Sequence, residues 1–386
     1  MNILIQNPYI SAGGTESRIK SLINELVGRY DIDSVHYMYV DFVPSHRVEA
    51  NGKLHFWQVE KKNIARVTGK IIDVYNIDIF QLHNNQMVGT RGLNVAREKG
   101  IPTIWVMHDM WALCPQRFMT KVWQAMDYDL CYKIDEAKCR ECVGDYNYEL
   151  TAMQREDIKK CDVGIMPSNR IQKIFEDNGV LNGKMKVVKP WINLRLFRQM
   201  SEVNKDPWKV FFAGNYIPHK GIQVLLRAWE LVNKRLPMAS LIAQGDQRSV
   251  QSALSLAKVL NLQNVSFIPH VSQERLCALY NESALTVFPT IWEETMGLIW
   301  VESLACGTPV ICSEIGSIPE YLKYGGEMFE PRNHMELAAK IIDMLLSPSK
   351  RNEYGKEGFN YARREFNPAR AANDFVKIYY ELSDSK

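Results

Sequence analysis

The sequence predicts an α/β protein built from two doubly wound, Rossmann-like domains, and three observations predict it. Short apolar runs alternate with amphipathic segments along most of the chain. That alternation halts once, at a polar stretch, and then restarts. From His334 onward the pattern is helical only. Buried strands alternating with helices imply parallel sheets covered on both faces. A length of 386 residues suits two domains of ordinary size, each with its own core.

The strands of the first series are "NILIQN", "SVHYMYV", "DIFQLHN", "PTIWVMHD", "DVGIMPS" and "KMKVVKP". Each is a short, apolar run of the kind that forms buried strands. The helical patterns "TESRIKSLINELVGRY" and "RIQKIFEDNG" fall between them. The second series is "KVFFAGN", "ASLIAQGD", "NVSFIPHV", "ALTVFPT" and "TPVICSE", with helices at "GIQVLLRAWELVNKRL" and "SVQSALSLAKVLNL". The polar break "NLRLFRQMSEVNKDPWKV" holds Pro207 and places the boundary around Arg198 to Lys205. The expected domains are therefore 1–198, with an insertion at about 112–147, and 199–386, including the terminal helices. Ligands of open α/β sheets bind outside the carboxyl ends of the strands. Two such domains are expected to face a central cleft.

Composition narrows the function. Lys and Arg number 47 and Asp and Glu 44, so 47 − 44 = +3, too balanced for nucleic acid as the main partner. No uncharged run approaches the roughly 18–20 residues of a membrane span. The amino terminus lacks a basic n-region. A cytoplasmic protein is expected, one that would meet any lipid from the surface. Eight cysteines in such a chain argue against a disulfide framework.

Three stretches carry chemistry. In "NPYISAGGTES", Gly13 and Gly14 precede Thr15, a candidate N-cap, with Arg18 close behind. The stretch reads either as a tight turn or as a helix start that takes an anion. In "KVFFAGNYIPHKGIQVLL", Gly214 follows a strand and Lys220 stands at the next helix N-terminus, where the dipole disfavours a cation unless an anion lies between. In "WEETMGLIWVESLACGTPV", Glu294 stands near the start of a helix expected from Gly297 to Ala305, and Glu302 lies within it among Leu298, Val301 and Ala305. A carboxylate in such surroundings needs a hydrogen-bonding partner, and sugar hydroxyls would serve.

"PTIWEETMGLIWVESLACGTPVI" resembles the E-x7-E signature of the retaining, nucleotide-sugar-dependent glycosyltransferases of GT-B fold, glycosyltransferase family 4. "GGTE", the "HD" of His108-Asp109, "GNYIPHKGI", "AQGD" and "SEIGSIPEYL" follow in the family's order, over nearly the whole chain. The resemblance implies an acceptor domain first and a nucleotide-sugar donor domain second. It implies that Glu294 binds the donor sugar and Glu302 the ribose. Lys220 and the Gly14 amide would neutralise the diphosphate, and His108 would approach the reacting centre. Asn215, Met296, Gly297, Leu298 and Glu320 would line the donor site. The catalytic set would be His108, Lys220 and Glu294. Asn215 stands where the family usually has arginine and brings no charge. Arg18, Arg248 or another cation substitutes, or the leaving group is stabilised less. The implied reaction moves a sugar from a nucleotide diphosphate sugar to a glycan or lipid-linked acceptor, in cell-surface polysaccharide or glycolipid synthesis, with no catalytic metal or other cofactor. Other readings are a glycoside hydrolase using Glu294 and Glu302, and a catalytically weak nucleotide-sugar-binding protein on the same fold.

Two features stand apart. Cys114, Cys131, Cys139 and Cys142 share one polar segment and end in a C-x2-C pair. They read as a structural zinc site, as unligated thiols or as disulfides. "DYD" at 127–129 sits inside this insertion, away from any core strand end, and reads as chance. "VEKKNIARVTGKII" carries Lys61, Lys62, Arg66 and Lys70 just after Phe56 and Trp57. It suits an anionic lipid surface, hence a peripheral membrane contact at the inner face of the plasma membrane, or is an ordinary solvated helix face.

Overall fold

A computed structural model describes residues 1–8, 14–29, 31–40, 48–84, 88–124, 127–181 and 183–384. The chain divides into two units. The first comprises Met1–Lys121, Asp129–Trp191 and Pro368–Lys386; the second comprises Val122–Tyr128 and Ile192–Asn367.

The first unit runs β1 (Asn2–Asn7), α1 (Gly14–Val27), β2 (Ser34–Val40), β3 (Val48–Asn51), β4 (Leu54–Val59), α2 (Ile64–Tyr75), β5 (Ile79–His83), α3 (Arg91–Glu98) and β6 (Thr103–Val106). A two-stranded ribbon, β7 (Thr120–Gln124) and β8 (Asp127–Leu130), interrupts it before α4 (Glu136–Val143) and α5 (Asp145–Ile158). Then come β9 (Val163–Met166), α6 (Asn169–Asp177) and β10 (Met185–Val187). The main sheet is ordered β10-β9-β6-β5-β1-β2-β4-β3, parallel except for β3 against β4. Successive residues of β1 face opposite cores. Ile3 and Ile5 join α1, and Leu4 joins Ile64 and Ile71 of α2.

The second unit runs β11 (Asp206–Ala213), α7 (Ile222–Arg235), β12 (Ser240–Gln244), α8 (Val250–Val259), β13 (Val265–Ile268), α9 (Gln273–Glu282), β14 (Ser283–Phe288) and α10 (Leu298–Ala305). It continues through β15 (Val310–Ser313), α11 (Ile318–Tyr321), β16 (Gly326–Phe329), α12 (His334–Leu346) and α13 (Pro348–Glu365). Its sheet is all parallel, β13-β12-β11-β14-β15-β16. Counted within the unit, that is the order 3-2-1-4-5-6, whose direction reverses between β11 and β14. The carboxyl edge at that reversal is where such sheets open a ligand crevice. In the first-unit sheet the same reversal falls between β1 and β5.

The division departs from the expected 1–198 and 199–386. The exchange falls at 191–192, and the last helix, α14 (Pro368–Ser383), belongs to the first unit. Its apolar face explains why: Ala371, Ala372, Phe375, Val376, Ile378 and Tyr379 are buried in the core that α1 shares. Phe375 also meets Trp191 edge-on at 5.7 Å. The helical segment after His334 is as expected, but its last helix packs with the first domain.

Candidate active site

In the second unit, the residues after β11 and β14 meet at the reversal of the sheet. Gly221 caps α7 with φ 74°, and a Cβ there would stand 1.7 Å from the Pro289 carbonyl oxygen. Only glycine allows that approach. The His219 carbonyl accepts from the Ile291 amide (3.0 Å) and the Thr290 hydroxyl (3.1 Å), so the lysine-bearing turn is tied to the signature loop. Lys220 then reaches Glu294, Nζ to Oε2, at 2.9 Å. The Trp292 indole N–H donates to the same Oε2 at 2.9 Å, and the ammonium lies 5.2 Å from the centroid of a Trp292 ring. Glu294 is 4 % exposed, so its charge is held by a cation and an indole in place of water.

The loop beyond Glu294 is equally constrained. Gly316, φ 65°, lies against its backbone, where a Cβ would come within 2.6 Å of the Glu294 nitrogen. The Ser317 amide donates to the Glu294 carbonyl at 3.0 Å. Helix α10 starts at Leu298, with Gly297 in the left-handed region as its N-cap and no side chain capping it. Glu294 therefore precedes the helix and does not cap it; its partners are Lys220 and Trp292. Met296 is buried, and its carbonyl accepts from the Trp300 indole at 2.9 Å. Glu320 lies in α11, half-buried.

Glu302 is buried inside α10 and accepts a hydrogen bond from the Tyr280 hydroxyl at 3.1 Å. Burial pushes its carboxyl up to about 7, against the pull of that hydrogen bond. So the protein itself supplies one partner for a carboxylate that the sequence left to a ligand. Glu294 and Glu302 share no partner, and the run between them is only partly helical.

Asn215 is a hydrogen-bonding residue here, as its chemistry requires. Its Oδ1 lies 2.8 Å from His270 Nε2, and His270 Nδ1 lies 2.7 Å from the Gln244 amide nitrogen. Gln244 therefore donates to Nδ1, and Nε2–H donates to Asn215. Arg248 does not face this position free: it pairs with Asp246 at 2.7 Å, which pulls that carboxyl down to about 2.

In the first unit, His108 follows β6 and His83 ends β5. Their rings stack, and His83 Nδ1 lies 2.8 Å from His108 Nε2. The Tyr379 hydroxyl donates to Gln81 Oε1 at 2.8 Å, and the Gln81 amide nitrogen meets His83 Nε2. The amide can only donate there, so His83 carries its proton on Nδ1 and gives the bond to His108 Nε2. His108 is then the Nδ1–H tautomer. Burial, reinforced by Arg18, draws His83 down to about 3; burial, His83 and Arg18 draw His108 well below the usual range. A neutral His108 whose Nε2 is already engaged acts as a hydrogen-bond donor, not as a base. Arg18 stacks over Trp191 at 4.7 Å, its Nε buried without a hydrogen-bond partner among the described residues, and burial lowers its pKa to about 10. Gly14 opens α1, so Thr15 lies inside the helix, while Gly13 lies outside the described residues. Sequence reasoning missed Trp292, Tyr280, His270, His83, Gln81 and Tyr379. His83 alone carried a signal, as a polar residue ending a strand.

None of the four insertion cysteines is in a disulfide. Cys114 lies in electrostatic reach of Cys131 and Cys139, and burial pushes its thiol up to about 11. Cys142 Sγ accepts from the Gln116 amide at 3.1 Å. Among the described residues, no three His, Cys, Asp or Glu side chains are arranged to hold a metal ion. The "DYD" triplet lies in β8, the side chains of Asp127 and Asp129 outside the described set.

Two family models cover most of the chain. "Glycosyltransferase Family 4" matches residues 12–196 and "Glycosyl transferases group 1" matches residues 195–361. A D-inositol 3-phosphate glycosyltransferase of Segniliparus rotundus is 28 % identical over 47 % of this chain and 43 % of its own length. Spore coat protein SA of Bacillus subtilis is 26 % identical over 44 % and 48 %. The chain spans about half the length of the curated relatives it matches. Among solved structures, sucrose-phosphate synthase of Thermosynechococcus elongatus superposes with TM-score 0.77 at 18 % identity, over 100 % of both chains. Anabaena Alr3699/HepE, solved with UDP and glucose, gives 0.73 at 16 % over 99 % of this chain and 100 % of that one.

Proposed function

We propose that this chain, which belongs to the GT-B glycosyltransferases of family 4 type, moves a sugar with retention from a nucleotide diphosphate sugar to a glycan or lipid-linked acceptor. The observation that carries the reading is the Lys220–Glu294 pair at the sheet reversal, beside a glycine-capped helix start. A diphosphate at the amino end of α7 would draw Lys220 from Glu294. Each partner then serves one half of the donor: the ammonium the phosphates, the carboxylate the sugar hydroxyls. Glu302, held by the Tyr280 hydroxyl, offers an acceptor to the ribose. The solved relative holding UDP and glucose supports a donor of this class.

In the proposed reaction the bond from the anomeric carbon to the phosphate oxygen breaks, and the oxygen keeps the electron pair. Lys220 and the α7 amides stabilise the charge that develops there, acting most strongly in the transition state. The acceptor hydroxyl oxygen bonds to the anomeric carbon on the same face, and its proton passes to the departing phosphate. His108, neutral and donating through Nδ1, orients the sugar. No divalent metal is needed for a charge that lysine and helix amides can hold.

The acceptor reading rests on the first unit. Trp57, Val67, Ile71, Val74 and Tyr75 line a groove flanked by Arg66 and Lys70, with Val74 68 % exposed. Apolar and cationic groups together suit an anionic lipid surface, so we place the reaction at the cytoplasmic membrane face. No helix among the described residues is long and apolar enough to cross a membrane. The insertion cysteines are proposed to take one structural zinc, which would have to draw the four thiolates together. Metal analysis should then find about one zinc per chain; zinc-free protein with four titratable thiols rejects it.

A thermal-shift screen of UDP-, GDP- and ADP-sugars tests the donor, because a ligand of the folded state raises the melting temperature. One of them is expected to do so, and silence from all three rejects the reading. Turnover should survive brief EDTA treatment; its loss with the fold intact would show a catalytic metal.

A further inference from the structure

The opposite edge of the second-unit sheet holds a pocket that the proposed reaction does not use. Its floor is the amino ends of three strands: Pro207 in β11, Ala284 in β14 and Pro309 just before β15. The strands are parallel, so Lys220 and Glu294 lie at the far, carboxyl edge. The pocket has a volume of about 630 Å³, within the usual range for small-molecule sites.

Its lining has one electrical sign. Lys205, Arg351 and Lys356 contribute cations, Gln199, Asn352 and Asn360 contribute amides, and among the described residues no Asp or Glu lines it. Asp206, beside Lys205 in sequence, turns its Oδ1 to the Trp208 amide at 2.9 Å. The Lys205 ammonium donates to the Ser283 carbonyl at 2.9 Å and to the Thr308 hydroxyl, both neutral. Arg351 donates to the Met344 carbonyl at 2.7 Å and to that of Leu345, also neutral. Burial, with Arg351 nearby, draws Lys205 down to about 8, and burial lowers Arg351. Cations gathered without a counter-charge repel one another, and partial burial sharpens that repulsion. A bound anion removes it.

We propose that this pocket is a second ligand site that binds a small phosphate-bearing molecule. Three cations and three amides match the charge and the acceptor oxygens of phosphate groups. The volume exceeds that of a single phosphate and leaves room for the body of a small metabolite. The site lies within one unit and on the edge away from the signature loop, so it stands whether or not the donor reading does.

Calorimetric titration of inorganic pyrophosphate into the full chain, saturated beforehand with UDP at low salt, tests this. One pyrophosphate per chain should bind with UDP present. Lys356→Glu and Asn360→Asp, both exposed and without a hydrogen bond or ion pair among the described residues, should each weaken that binding at least tenfold. Absence of pyrophosphate binding beside UDP overturns the proposal. Binding that both variants leave unchanged overturns it too, and marks an adventitious ion only. If UDP itself gives no heat, GDP or ADP takes its place and silence from all three rejects the donor reading, while the comparison of wild type with the two variants still decides this pocket.

Discussion

At the scale of residues, the site is a set of charges waiting between partners. Glu294 is buried and depends on Lys220, so Lys220→Met should do two separable things. It should abolish turnover, and it should cost roughly 3 kcal/mol of stability, because a buried carboxylate is left without its cation. Adding Glu294→Gln should restore the stability and not the turnover. Urea melts of the single and double variants, with rates, check both; an undiminished Lys220→Met melt would show the pair to be ornamental. Glu302 answers to a different test. Its raised carboxyl gives stability below its ordinary range that is lost as pH climbs through about 7. Glu302→Gln should therefore gain on wild type at pH 8 relative to pH 5, and should bind nucleotide at least tenfold more weakly. Sequence alone exposed both carboxylates and the lysine. It could not expose Tyr280, Trp292 or His270, because each belongs to the site through a fold contact and not through a motif.

At the scale of elements, the apolar runs gave most strands within a few residues, since a fully buried parallel strand is a short apolar block. The failures have local causes. Segment 48–59 holds β3 and β4, an antiparallel pair at the sheet edge whose polar residues mask alternation. β16 begins at Gly326, where a Cβ would lie 2.3 Å from the Val310 carbonyl oxygen, so the residue that fits the strand reads as a turn. The last helix was legible as a helix, but its amphipathic face does not say which core it covers. Because α14 lies with the first unit, Phe375→Ala should cost about 3–5 kcal/mol there, the usual range for a large buried ring. Hydrogen exchange should rise in β1, β2 and β5 and stay unchanged in β11 and β14. Equal loosening of both sheets would contradict the assignment of α14.

At the scale of the whole molecule, the two units respond to acid in opposite directions. Burial draws His36 to about 4 and His83 to about 3, and burial with His83 and Arg18 draws His108 well below the usual range. These groups stay neutral when folded but take up protons when unfolded, near pH 6.5. Their contribution is therefore complete above pH 6.5 and fades as pH falls toward their folded values, at up to about 1.4 kcal/mol per pH unit for each histidine. Asp109, raised by burial, opposes them, since its folded carboxyl keeps its proton to higher pH than the unfolded one. All four lie in the first unit. The second unit has Glu302, whose folded carboxyl keeps its proton up to about 7 while the unfolded one has lost it by pH 6.5. Its contribution grows as pH falls toward 5. Cys277, drawn down to about 6 first of all by the hydrogen bond from Cys306, acts mainly between 6 and 9 and contributes little below 6.5. Going from pH 6.5 to pH 5, amide protection corrected for intrinsic exchange should fall in β1, β5 and β6 and hold or rise in β11, β14 and β15. Loss of protection in both sheets together would mean that the two units open as one, and that the buried histidines do not set the acid limit of the fold.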